Sequence, residues 1–87
     1  MSVLVKLEYY GRFSEKTGKS YEEFAVSNRL EEAYDYLMKY LAETYDVKPP
    51  FIFMLGKTHI SGALSRQGDI PLKDGDTFKL LPFISGG

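Results

Sequence analysis

Four groups of residues in this 87-residue chain are of types that could do chemistry. Gly18-Lys19-Ser20 and Gly56-Lys57-Thr58 each have the glycine-lysine-hydroxyl ending of a phosphate-binding loop. Such a loop also needs a glycine five residues before the second one, so that backbone N–H groups can cradle phosphate oxygens. Those positions are Phe13 and Phe51, so neither triplet builds the cradle. His59 is the single histidine and there is no cysteine, which leaves neither a metal-ligand set nor a Ser/His or Cys/His nucleophile pair. On a strand it reads as a surface or packing residue. Asp74 and Asp76 flank Gly75 in a turn, where carboxylates characteristically hydrogen-bond nearby backbone. No trio of acid, base and nucleophile emerges.

The fourth group is the tail, Leu81-Pro82-Phe83-Ile84-Ser85-Gly86-Gly87. Glycine has no Cβ, so a Gly-Gly end can lie extended in a narrow slot and bring a carboxylate up to another reactant. At about 3.3 to 3.6 Å per residue, residues 83–87 reach about 17 Å from the end of a strand. That is enough to thread a neighbour's active site. An expression remnant is the plainer alternative.

Composition bounds the rest. Eleven basic and twelve acidic side chains give a net charge of −1, with 44% hydrophobic and 15% aromatic residues. This suits one packed domain and not a disordered chain. Charge balance speaks against a nucleic-acid binder, which needs a basic surface to displace counterions. The longest apolar stretches, 49–55 and 80–84, fall far short of the roughly 20 residues that span a bilayer. Met1-Ser2-Val3 lacks the basic and apolar regions of a signal peptide, and the expected location is the cytoplasm. Seven acids lie between Glu22 and Asp46 against Arg29 and Lys39, whereas Lys48 onward carries five bases and three acids. A solvated acidic helix face and an orientation signal for partners both fit that asymmetry.

The elements that must position these residues follow from periodicity. Val3, Val5, Leu7 and Tyr9 alternate with Leu4, Lys6, Glu8 and Tyr10, the pattern of a half-buried strand. Gly11 to Lys19 reads as a turn-rich loop, and Ser20 to Val26 as the returning strand, with Phe24 and Val26 on one face. From Leu30 the period becomes helical: Leu30, Ala33, Tyr34, Leu37, Leu41 and Thr44 or Tyr45 share a face. Ser27 or Asn28 is the expected cap. Pro49 and Pro50 close that segment. Phe51 to Leu55 is a continuous apolar run, which predicts a strand buried on both faces. Thr58 to Ile60 makes a short strand, 61–68 a loop, 69–76 two turns, and Thr77 to Pro82 a last strand with Phe78 and Leu80 facing in. The order ββαβββ, with a helix across the sheet and the last strand beside the first, predicts an α+β fold of the β-grasp, or ubiquitin-like, arrangement. It has a mixed sheet of four to five strands and one main helix. The expected domain covers residues 1–82, followed by a flexible tail over 83–87.

Three motifs in register carry a resemblance. Tyr9 to Gly18 is similar to the "YFARLREATG" stretch of MoaD-type proteins, 71–76 resembles their "PLKDGD" turn, and 80–87 resembles their "FPPVSGG" ending. The chain thus resembles the small subunit of molybdopterin synthase, a ubiquitin-like sulfur carrier related to ThiS. Phe83 stands where that family has its second proline, and the link over 61–68 is longer than usual. The resemblance implies that the Gly87 carboxylate is adenylated by an E1-like, MoeB-like enzyme using ATP and magnesium, because a carboxylate is a poor acyl donor. Sulfur then replaces the adenylate, and the thiocarboxylate is delivered to a pterin precursor inside a MoaE-like large subunit. Gly87 is then the reacting residue and Gly86 the access residue, with Phe83, Ile84 and Ser85 lining the channel. On this resemblance the chain is expected to be a non-catalytic sulfur donor, with no bound cofactor, metal, nucleic acid or membrane expected. A docking surface follows in part from alternation alone: Tyr10 and Leu81 point away from the helix and meet where the tail departs. Ordinary edge packing is the alternative. The resemblance adds His59 to that surface, at a position where relatives have an apolar residue. Two other readings stay open, a protein modifier conjugated through Gly87 and a ThiS-like carrier for thiazole synthesis; a plain binding module is a third.

Overall fold

The computed structural model describes residues 1–67 and 70–83. Five strands form one mixed sheet: β1 (Ser2–Tyr9), β2 (Tyr21–Ser27), β3 (Phe51–Leu55), β4 (Thr58–His59) and β5 (Thr77–Pro82), in the order β2-β1-β5-β3-β4. β1 and β5 pair in parallel, from Lys6 opposite Thr77 to Tyr9 opposite Leu80. The other three pairings are antiparallel. This is the expected β-grasp sheet.

One face of it is sealed by α2 (Leu30–Tyr45), whose Leu30, Ala33, Leu37 and Leu41 are buried. They recur three and four residues apart, the spacing that puts side chains on one helix face. Against them lie Val5, Leu7, Tyr9, Phe24, Val26, Phe53, Phe78 and Leu80, the inward half of each strand's alternation. Phe53 stacks on Phe78 at 5.2 Å between ring centroids. Burying an aliphatic or aromatic side chain of this kind contributes about 1.5 to 3 kcal/mol.

Four local expectations are corrected. Residues 12–17 are not loop but a short helix, α1 (Arg12–Thr17), bracketed by Gly11 at φ 58° and Gly18 at φ 72°. The glycines that read as turn residues start and stop this helix, whose Phe13 and Thr17 are buried. The 61–68 link contains α3 (Gly62–Ser65), whose Ser65 is buried and followed by Arg66, ion-paired to Asp35 and Glu31. β3 is not buried on both faces: Phe53 is buried, Phe51 and Leu55 pack on the core, and Ile52 and Met54 alternate with them on the other side. Neither Ser27 nor Asn28 caps α2 by its side chain, the N-cap position being Arg29. The Leu30 N–H donates instead to the Ile70 carbonyl at 3.0 Å, and the Ser27 hydroxyl donates to Glu32 while accepting the Arg29 N–H. A remote backbone carbonyl thus does the work expected of a local side chain.

The 73–76 turn is held in the same way. Asp74 Oδ1 accepts the Leu4 N–H at 2.8 Å and the Gly75 N–H donates to the Leu4 carbonyl, so the turn prolongs the ladder of β1 beyond the start of β5. Asp76 accepts the Lys73 N–H. Both carboxylates therefore bind backbone. No helix among the described residues is long and apolar enough to cross a membrane.

Candidate functional site: the outer sheet face at the end of the last strand

β5 places the tail. Its end is fixed by Gly11, whose positive φ is one constraint and whose contact with Pro82 is another: a Cβ built there would lie 2.8 Å from Pro82 Cγ. The Tyr10 N–H donates to the Leu80 carbonyl at 3.0 Å, which carries the β1–β5 ladder to the same level. β5 ends at Pro82. Phe83 follows and is 53% exposed. Ile84, Ser85, Gly86 and Gly87 lie outside the described residues.

Beside this exit the sheet turns an apolar surface outward. Leu80 faces in, so Leu81 faces out, opposite Ile52 on β3. Met54, two residues on, pairs with Lys79 on one side and His59 on the other. Cross-strand partners share a face. Extending the Tyr9–Leu80 register by one residue sets Tyr10 beside Leu81. Tyr10 is exposed, and its hydroxyl donates to Glu8 Oε1 at 2.6 Å, which raises its pKa. Of the three residues expected at a partner surface, Tyr10 and Leu81 therefore come together. His59 lies two strands away, with Ile52 and Met54 between. Those two residues were not expected here, because an unbroken run of apolar letters carries no alternation from which an outward side could be read.

The inner side of the sheet holds a different arrangement. Glu22 at the start of β2 accepts hydroxyls from Tyr9 at 2.5 Å, Tyr40 at 2.7 Å and Tyr45 at 2.9 Å, and the Lys19 ammonium at 2.9 Å. Burial alone pushes the carboxyl pKa up, but these donors outweigh it and bring it down to about 2. Burial, then the bond to Glu22, pushes the hydroxyls of Tyr9 and Tyr40 well above the usual tyrosine range. A carboxylate so low and hydroxyls so high exchange no proton near neutrality. The cluster ties β1, β2 and α2 together. Among the described residues no group of histidine, cysteine or carboxylates could hold a metal. An open hollow of about 520 Å³ is lined by Leu4, Lys6, Glu23, Asp74 and Thr77, and its Asp74 carboxylate accepts the Leu4 N–H.

No protein-family profile matches the sequence, and no curated protein is significantly similar to it. Solved structures are. The chain superposes on a protein assigned as molybdopterin converting factor subunit 1 from Pyrococcus furiosus with a TM-score of 0.65, 22% identity and coverage of 95% of this chain and 100% of that one. It superposes on small archaeal modifier protein 1 from Methanosarcina acetivorans with a TM-score of 0.63, 20% identity and coverage of 100% and 99%. A chain from the complex of subunits 1 and 2 of the Helicobacter pylori molybdopterin-converting factor matches at 27% identity, with a TM-score of 0.55 and coverage of 98% and 100%. The chain is thus a ubiquitin-like β-grasp protein. Within that class its fold is that of the MoaD-type small proteins.

Proposed function

We propose that this chain is a sulfur carrier that serves as the small subunit of a molybdopterin synthase. The observation that carries the reading is the apolar strip of Tyr10, Ile52, Met54 and Leu81 lying beside the point where β5 runs out toward Ile84-Ser85-Gly86-Gly87. A partner seated on that strip receives the tail directly. The large subunit is the proposed partner, supported by the likeness to a chain from a complex of the two converting-factor subunits.

In this reading the Gly87 carboxylate attacks the α-phosphorus of ATP in a MoeB-like activating enzyme with magnesium, expelling pyrophosphate and leaving an acyl adenylate. Sulfide-level sulfur then attacks the acyl carbon and expels AMP, and the thiocarboxylate is presented to the pterin substrate in the large subunit. Gly86, lacking a Cβ, lets the end lie flat in the channel, while Phe83, Ile84 and Ser85 line its approach. No cofactor is held by the carrier itself.

The test is the intact mass of the protein after incubation with its activating enzyme, ATP and a sulfur donor. The expected product carries one sulfur in place of one oxygen, located at Gly87. Absence of that species, with the enzyme active on another carrier, overturns the proposal. A second reading, conjugation to lysines through Gly87, has the likeness to small archaeal modifier protein 1 in its favour. Discrete higher-mass conjugates of the tagged protein in its own cells would select it.

A further inference from the structure

At the opposite end of the sheet from β3 and β4, β2 forms an edge whose inward charge, Glu22, is taken up by Tyr9, Lys19, Tyr40 and Tyr45. Its register with β1 runs without a bulge through seven pairs, and Tyr21–Ser27 contains no proline and no lysine. Proteins ordinarily protect such edges with those devices, or with very short strands. The other edge, β4, has only two residues. The Tyr9 N–H donates to the Ser20 carbonyl and the Asn28 N–H to the Met1 carbonyl, so even-numbered positions of β2 turn their backbone groups toward β1. Backbone direction alternates along an antiparallel strand. The N–H and C=O groups of Tyr21, Glu23 and Ala25 therefore point outward, all on exposed residues, and have no hydrogen-bond partner among the described residues.

The surroundings specify what would pair there. On the outer side Glu23 stands exposed. On the helix side a hollow of about 280 Å³ is lined by Tyr36, Lys39, Tyr40, Glu43 and Thr44, and Phe24 of β2 packs edge-on against Tyr36 and Tyr40. Glu32 and Glu43 are exposed along the same helix. For a second copy of this chain, two-fold antiparallel pairing about Glu23 sets like charges across the new ladder, whereas a basic partner strand meets Glu23 with the opposite charge. We infer that the β2 edge takes an extended segment of a partner protein as a sixth strand, with lysine or arginine on its outer side and β-branched residues facing Tyr36 and Tyr40. Main-chain hydrogen bonds supply affinity and the alternate side chains specificity. The strip beside the tail runs from Tyr10, just past β1, to Ile52 and Met54 on β3, one to three strands from this edge.

The probe is a capped heptapeptide of alternating valine and lysine, titrated into isotope-labelled protein. Shift changes and slowed hydrogen exchange are expected at the amides of Tyr21, Glu23 and Ala25. Ala25→Pro removes an outward N–H that bonds nothing in the fold, and an edge position of this kind tolerates proline. It should keep its melting temperature within a few degrees and weaken the peptide at least tenfold. Glu23→Lys should weaken it comparably and favour an alternating valine–glutamate peptide, and it decides the matter if Ala25→Pro does not fold. Failure of the peptide to bind, binding to both variants as tight as to the parent, or shifts confined to Ile52, Met54 and Leu81 overturns the inference. Self-association through the same three amides assigns the edge to a second copy instead.

Discussion

The two faces of this sheet are made by the same strands and obey opposite rules. On the inner face Val5, Leu7, Phe53, Phe78 and Leu80 are sealed to 1% exposure or less. Its one embedded carboxylate, Glu22, has its donors fixed from β1, α2 and the 18–20 corner. On the outer face, one residue out of step, Leu4, Tyr10, Ile52, Met54 and Leu81 lie open or half-open between Lys6, Glu8 and Lys79. Stability is concentrated on the side that α2 covers, and the side left uncovered is free to meet other molecules. Substitutions one residue apart should therefore separate folding from binding.

The largest effect is expected from Phe53→Ala, which removes a ring stacked on Phe78 and set edge-on to Tyr34 at 5.7 Å. A loss of about 3 to 5 kcal/mol is expected from such a cavity, a large part of the roughly 5 to 15 that a domain possesses. A urea melt reads it. The equivalent change at the neighbouring Ile52 should leave the melt nearly unmoved, and similar losses at both positions would erase the distinction between the faces.

Next comes Glu22. Its folded pKa of about 2 lies below the ordinary 4.5, so it contributes stability above pH 4.5 that is lost as pH falls from about 4.5 toward 2. The shift corresponds to about 3 kcal/mol. Glu22→Gln should be less stable than the parent at pH 7 by an amount of that order, and the gap should close across that acid window. Denaturant melts of both proteins at neutral and acid pH test this, and a constant gap would show that the tyrosines bind Glu22 without regard to its charge.

Gly11→Ala ranks third. A non-glycine residue held at positive φ costs about 1 to 3 kcal/mol, and the added Cβ meets Pro82 at 2.8 Å. Both the melting temperature and capture by the proposed large subunit should fall, because the strain sits at the root of the tail. Smallest in stability is Phe83→Ala, expected within about 0.5 kcal/mol of the parent because the ring is exposed. Its effect belongs in binding, where burying Phe83 would return about 1.5 to 3 kcal/mol toward ordering the tail. Calorimetric titration beside a thermal melt separates the two, and a large drop in melting temperature would place Phe83 in the core.

How far the sequence could be read follows the same division. β1, β2, α2 and β5 were legible because each is long enough to repeat its period against a polar background. α1 was not, since six residues give less than two helical turns and its bracketing glycines mimic a loop. β3 was misjudged because Phe-Ile-Phe-Met-Leu offers no polar residue to mark an outer side. Tyr10 and Leu81 could be paired from alternation and the expected parallel neighbours, whereas Ile52 and Met54 could not. The Glu22 cluster left no trace, its partners lying 13, 18 and 23 residues along the chain. Only the folded backbone brings them together.

β5 lies in the middle of the sheet, hydrogen-bonded to β1 on one flank and to β3 on the other, and the chain continues from its end into the 83–87 segment. Traction applied to that segment loads both ladders in shear. Every bond along β5 then shares the force, and none can be opened one at a time as in peeling an edge strand. The first strand runs parallel to the last, so a pull between the two chain ends draws β1 and β5 past each other and does not part them. The protein can thus be held by its tail as by a handle, with mechanical load shared along the ladders of its central strands.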